Sequence, residues 1–309
     1  MPELPEVTTT VAGLNKVLPK LTIQDVWTDY YLRTKNKRQN TIKNKKYFAY
    51  FKKEVVGEKV LLAERRGKNI LIHLSDGKTI LIHMKMTGHL LYGKYSKLKV
   101  KSQKSKVAEK WVAAEKGLLQ EPFNKFIHLV FTLSNGKHLA FSDMRKFAKV
   151  MLFETNRRDE ITDLSILGPE PLDNLSLKTF KKQLLTKPNS KIKTVLMDQT
   201  IVAGIGNIYS DEILWLAGVH PERKINSLEN EEMKKILKKM KKILKVGIKM
   251  GGDSMSDYRN IHGEKGQFQK THKAYRRTKE KCLKKECLGV IQRKVIGGRS
   301  AHFCNKHQK

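Results

Sequence analysis

Acidic residues are scarce in this chain of 309: 30 Asp and Glu stand against 63 Lys and Arg, for a formal net charge of +33. So basic a surface attracts polyanions and speeds encounter with them, and nucleic acid is the partner expected, through phosphate neutralisation and counterion release. An anionic membrane is the alternative. Lysine spreads along the whole sequence, so part of the excess is solvated surface. Long apolar runs are missing: nothing reaches the roughly 20 residues needed to span a bilayer. No apolar core follows the charged first residues, so no secretory leader is expected. The expected location is intracellular, with no membrane association. Cysteine is nearly absent; the three present all lie in the last 28 residues. That excludes a disulfide framework and, in a reducing compartment, points to metal ligation.

Enough apolar residues remain for two folded domains. "EVTTTVAGLNKVL" spaces Val7, Val11, Leu14 and Leu18 as one helical face, with Pro5 suited to the first turn. "NILIHLSDGKTILIHM" and "IHLVFTLSNGKHLAF" each join two apolar runs through Asp76-Gly77 and Asn135-Gly136. These are antiparallel hairpin signals and predict a β-sandwich. Residues 94–120 are lysine-dense without a clear period and read as an exposed insertion or mobile loop, with extra DNA contact as its functional alternative.

From about residue 155 the pattern turns helical. "SLENEEMKKILKKMKKILKVGIKMGG" predicts a helix with Ser227 as N-cap, an apolar stripe of Ile236, Leu237, Met240, Ile243 and Leu244, and a stop at Gly251-Gly252. "VAGIGNIYSDEILWLAGVHP" follows the helical "SKIKTVLMDQ" and gives helix, glycine turn, helix. Gly204 and Gly206 permit close backbone approach, Asn207 can cap the second helix, and Gly218 ends it. Free amides at such a helix N-terminus form an anion site, and in so basic a chain the anion expected is a DNA phosphate. In the tail, Cys282-x4-Cys287-x16-Cys304-x2-His307 has the spacing of a small zinc hairpin, with strand, Gly-Gly turn and strand between the pairs. His302 competes as a ligand but sits at the wrong offset. A zincless finger held by packing alone is the alternative.

"MPELPEV", "ERRGKNILIHL", "IHMKMTGHLLYG", "FSDMRKF", "LGPEPL", "DQTIVAGIGNIYSDEILWLAGVHP", "GGDSMSDYRN" and "GGRSAHFCNKH" occur in this order from residue 1 to the C-terminus. Together they resemble the formamidopyrimidine-DNA glycosylase / endonuclease VIII family of oxidised-base repair enzymes. The resemblance implies an α+β chain. Residues 1–155 would be an N-terminal antiparallel β-sandwich catalytic domain with flanking helices, carrying the 94–120 insertion. Residues 156–174 would be a linker, 175–274 a helix–two-turn–helix DNA-binding domain, and 275–309 a zinc-finger hairpin. Residues 253–275 occupy the place of the loop that covers the flipped base in some relatives. DNA would cross a basic cleft between the domains.

By the same resemblance, removal of Met1 would expose Pro2 as the nucleophile, whose secondary amine attacks C1′ of the damaged nucleotide. Glu3 would move protons, and Lys68 would contact a phosphate and aid catalysis. Glu6 and Glu212 would support the site; for Glu6 a dipole role in the first helical turn is the alternative. Asn207 and Arg299 would grip the DNA backbone. Met86, Arg145 and Phe147 would fill the void left by the extruded base, although Met86 and Phe147 also suit core packing. Met144 stands where the family often has proline. Cys282, Cys287, Cys304 and His307 would hold one structural Zn2+; the common family pattern is two C-x2-C pairs, so the wider first knuckle and His307 depart from it. The implied protein is a monomeric bifunctional DNA glycosylase/AP lyase of base excision repair. It would act on formamidopyrimidines, hydantoins and oxidised pyrimidines in duplex DNA, with single-stranded DNA as the alternative. A non-catalytic basic nucleic-acid-binding protein that keeps the fold is the second hypothesis, and it would need neither Pro2 nor Glu3.

Overall fold

The computed structural model describes residues 1–32, 40–101, 107–255 and 257–309. They divide into two compact units: Met1–Pro2, Glu6–Asp159 and Asp253–Gly266 form one, and Glu3–Pro5, Glu160–Gly252 and Gln267–Lys309 form the other. No helix among the described residues is long and apolar enough to cross a membrane.

In chain order the first unit carries α1 (Leu4–Val17, whose first two residues belong to the second unit), β1 (Ile23–Thr28), α2 (Lys45–Val55), β2 (Val60–Arg66), β3 (Asn69–Leu74), β4 (Lys78–His83) and β5 (Gly88–Gly93). It continues with β6 (Tyr95–Lys101), β7 (Val107–Ala113), β8 (Ile127–Leu133), β9 (His138–Asp143) and β10 (Lys149–Glu154). Two antiparallel sheets, ordered β1-β8-β9-β5 and β10-β4-β3-β2, make the sandwich. Alternate residues of both sheets meet in one core, among them Val26, Leu90, Phe131 and Phe141 from one and Ile70, Ile72, Ile80 and Val150 from the other. Val7, Val11, Leu14 and Leu18 of α1 complete it, as their spacing predicts. Both hairpins turn where expected: Gly77 (φ +80°) and Gly136 (φ +73°) take the left-handed conformation that favours glycine.

The 94–120 stretch differs from the loop expected of it. Its described residues include the antiparallel pair β6–β7, with Tyr95 opposite Ala113 and Lys97 opposite Trp111. The reason lies on the outer face of the β1-β8-β9-β5 sheet, where Trp27, Leu91, Val130 and Ala140 are apolar. Tyr95 and Trp111 cover that face, Trp111 with its ring 6.2 Å from Trp27 and 5.1 Å from His138. A period-2 signal masked by lysines hid these strands.

The second unit is built on α3 (Thr162–Ser165), α4 (Leu177–Leu185), α5 (Ile192–Met197), α6 (Asn207–Ala217) and α7 (Asn230–Lys249), and ends in the antiparallel hairpin of β11 (Ile291–Ile296) and β12 (Arg299–Cys304). Its core includes Phe180, Leu196, Ile213, Met240 and Leu244. Gly218 (φ +74°) is the C-cap of α6, as expected. The start of α7 is displaced from the sequence reading. Ser227 lies in a 3-10 turn, and Glu229 is the N-cap, forming a capping box with Glu232. The glutamate pair satisfies two terminal N–H groups reciprocally, which one serine cannot do.

Replacing Trp111 with Ala is expected to cost about 3–5 kcal/mol of local stability. Amides of β6 and β7 should then exchange faster while those of β3 and β4 keep their protection; equal protection in both hairpins would contradict the packing account.

Candidate functional site

The second unit gathers its polar groups on α6. Gly204 (φ +93°) closes the turn before it, donating its N–H to Gln199 Oε1 at 2.9 Å and accepting from Leu4 N–H at 2.9 Å. That contact sets Glu3 on the helix N-terminus. Glu3 is buried, its Oε2 accepting from Gly206 N–H at 2.5 Å and its Oε1 from Ile208 N–H at 2.9 Å. A Cβ on Gly206 would stand 2.5 Å from the Glu3 carboxyl carbon, so only glycine fits. The sequence reading gave this cap to Asn207; the carboxylate of Glu3 holds it instead, because two free amides and the positive end of the helix favour an anion over a neutral amide. Asn207 is the first helical residue, and its Oδ1 is buried without a hydrogen-bond partner among the described residues.

One turn further along α6, Asp211 and Glu212 anchor distant segments. Asp211 is fully buried, paired with Lys193 of α5 and accepting from the backbone N–H of His302 at 3.0 Å, with the His302 Nδ1 also at 3.0 Å. Glu212 accepts from the N–H groups of Lys273, Ala274 and Tyr275, four contacts between 2.8 and 3.1 Å. Burial outweighs those bonds and raises its pKa above the ordinary value. Arg299 is exposed at the start of β12, just after Gly297 and Gly298, both at positive φ. The turn lies close against α5, since a Cβ on Gly297 would meet Thr194 Cγ2 at 2.3 Å.

Cys282, Cys287, Cys304 and His307 each present one ligand atom, all within 4.8 Å of one another. Backbone N–H groups of Lys284, Gly289 and Lys306 point at the three sulfurs at 3.4–3.5 Å. His307 Nε2 lies 2.9 Å from the Trp215 carbonyl oxygen. A carbonyl only accepts, so Nε2 carries the proton and the Nδ1 lone pair is left toward the cysteines. Burial pushes the Cys282 thiol up to about 11, while the N–H of Gly289 draws the Cys287 thiol down. This donor set could hold a metal ion. The His302 ring is engaged by Asp211, outside the cluster.

In the first unit, Pro2 and Lys68 are buried, Lys68 in the turn between β2 and β3. Glu6 is buried and ties α1 to residues 253–266. Its Oε1 accepts from Asp253 N–H at 2.6 Å, and its carbonyl from the Tyr258 hydroxyl at 2.9 Å. Two neighbouring loops carry Met86, Arg145 and Phe147. Met86 and Phe147 are exposed rather than core, and the Arg145 guanidinium lies 4.4 Å over the Phe147 ring. Asp143 builds this pair of loops. Its carboxylate accepts from Thr87 Oγ1 at 2.6 Å, Tyr30 OH at 3.0 Å and Ala148 N–H at 2.9 Å. Arg145 N–H returns a bond to Thr87 Oγ1 at 3.1 Å.

The family model described as "Formamidopyrimidine-DNA glycosylase N-terminal domain" matches residues 1–150, and that described as "Formamidopyrimidine-DNA glycosylase H2TH domain" matches residues 167–259. The formamidopyrimidine-DNA glycosylase of Bacillus subtilis is 35% identical over 311 residues, which cover 100% of this chain and 99% of that protein. The chain belongs to the formamidopyrimidine-DNA glycosylase family. Its counterpart in Desulfitobacterium hafniense is 36% identical over 304 residues, 98% of each chain. The solved complex between the Lactococcus lactis Fpg and an abasic site containing DNA matches at a TM-score of 0.81 and 29% identity over 99% of both chains.

Within this glycosylase framework, Asp143 and Asp211 escaped the sequence reading. An aspartate at the end of an apolar strand, as in "LAFSDM", or on the buried side of a helix, as in "IYSDEI", is the signal that could have found them. Replacing Glu212 with Ala would leave the amides of residues 273–275 without their acceptor. The expected cost is about 1–3 kcal/mol, with faster exchange at those amides; unchanged exchange there would remove Glu212 from the account.

Proposed function

We propose that this protein is a bifunctional DNA glycosylase/AP lyase of base excision repair. Its substrates are formamidopyrimidines, hydantoins and oxidised pyrimidines in duplex DNA, with single-stranded DNA as the alternative. It works as a monomer inside the cell, wherever the DNA is. The observation that carries the reading is the seat of Glu3. The residue joined to Pro2 has its carboxylate fixed by two backbone amides at the helix start that also bears Asn207.

The chemistry begins with the loss of Met1, since a proline nitrogen in an amide is no nucleophile. An α-amino group is as a class less basic than a lysine side chain, so it is the better placed of the two to act as a free base. It forms a bond to C1′ as the bond from C1′ to the base breaks. Breaking of the C1′–O4′ bond, with a proton delivered to O4′, then gives an iminium, which keeps its positive charge without a proton and draws electrons for β- and then δ-elimination, breaking the C3′–O and C5′–O bonds. Glu3 moves protons during ring opening, and Lys68 neutralises a phosphate. Glu6 and Glu212 hold the site's supports in place. Met86 and Phe147 enter the gap left by the extruded base, and Arg145 faces the orphaned partner. Asn207 and Arg299 bind backbone phosphates, for which Arg offers a planar fork.

Cys282, Cys287, Cys304 and His307 hold one zinc ion in this reading. When bound, the ion supplies a structural cross-link and no reaction step. It ties the two ends of the β11–β12 hairpin that carries Arg299.

Borohydride added during reaction with damaged or abasic DNA should trap a covalent adduct, and Pro2→Gly should abolish it. An enzyme that gives no adduct on either DNA is a binding protein, and one that gives an adduct on abasic DNA alone is only a lyase. Purified protein should contain about one equivalent of zinc, and His307→Ala should lower that content. Less than about half an equivalent in the wild type would sink the zinc assignment.

A further inference from the structure

The β6–β7 ribbon has no part in the chemistry above, yet its lysines are disposed for contact. Residues 94–116 contain eight lysines and two glutamates. Of the described cations, Lys97 is paired with Glu109 at 2.7 Å. Lys94, Lys99, Lys110 and Lys116 are exposed and form no ion pair, and neither does Lys125 beyond the ribbon. The register puts Lys97 and Lys99 on the same face as Tyr95 and Trp111, and Lys110 with Leu98 on the other. Cations therefore stand on both faces of a two-stranded ribbon. Its root is fixed by packing on Trp27, Val130 and Ala140. There Lys110 and Lys125 line a cavity of about 340 Å³ with Trp111, Gln120 and Asn124.

We infer that β6–β7 is a second DNA-contacting element, resting on the DNA-binding reading above. A groove of duplex DNA admits a two-stranded ribbon between two phosphate walls. A ribbon with lysines on both faces meets both walls, and one anchored by aromatic packing reaches them without the ordering cost of a loop. Lysine contacts to phosphate carry no base information, so the element strengthens binding to any duplex and leaves lesion choice to other residues. The chemistry recognised is that of a duplex phosphate backbone.

The test compares wild type with a Lys99→Ser, Lys110→Ser, Lys125→Ser variant on an undamaged duplex of about 30 base pairs, titrated from about 50 to 200 mM KCl. Each lost phosphate contact should lower the slope of log Kd against log salt by about 0.9. The variant's slope should fall by about 2–3 and its affinity weaken at least about tenfold near 0.1 M salt. The corresponding triple Arg variant should keep the wild-type slope. Single-turnover base excision at saturating enzyme should not change. An unaltered slope overturns the inference. So does a loss of binding to phosphatidylserine vesicles with DNA binding intact, which would assign the ribbon to a membrane. If wild type gives no borohydride adduct but the slope still falls, the glycosylase reading fails and this one stands.

Discussion

The carboxylate of Glu3 on the first amides of α6 is the contact on which the second unit's candidate site depends. It joins residues 203 positions apart in the chain. It also explains why residue 206 is glycine, since the carboxyl carbon occupies the space of a Cβ. The same helix then fixes three more segments. Asp211 takes Lys193 and His302, and Glu212 takes the backbone of residues 273–275. Residues far apart in sequence thus take their positions from less than two turns of one helix. Buried carboxylates suit this work because each offers several acceptor sites and is stabilised by charge-assisted bonds.

The first unit uses the same device once more. Asp143 collects donors from the turn after β1, the Met86 loop and the loop of Arg145 and Phe147. Two exposed apolar side chains and a guanidinium can then stand at the surface with rigid loops beneath them. Exposed methionine and phenylalanine need such support, because a flexible loop would fold them back onto apolar surface. The rest of the unit is an ordinary sandwich core whose job is to hold these loops.

Much of this was legible in the sequence. Asp76-Gly77 and Asn135-Gly136 announced their hairpins through the conformations they require, and the stripe of α7 followed from its spacing. Gly204 to Gly218 gave helix, turn and helix for the same reason. The two pairs of the Cys282, Cys287, Cys304 and His307 cluster were visible because ligand spacing is local. What sequence concealed was non-local. That Glu3 rather than Asn207 caps α6 depends on a contact across most of the chain. That β6 and β7 are strands depends on an apolar outer face that Tyr95 and Trp111 help to cover. The displaced start of α7 is a different case: Glu229 and Glu232 were in plain view, and Ser227 drew attention only because serine is the commoner cap.

The distance between Glu3 and Gly206 also fixes an order of events during synthesis. Residue 3 leaves the ribosome long before residues 206 and 208 exist to receive its carboxylate. At about 5–20 residues per second, that gap lasts on the order of 10–40 s. Throughout it the Glu3 carboxylate has no seat. Once α6 has formed, its first amides hold the Glu3 carboxylate. The long separation thus acts as a delay: the seat of Glu3 is among the later features of the chain to be made.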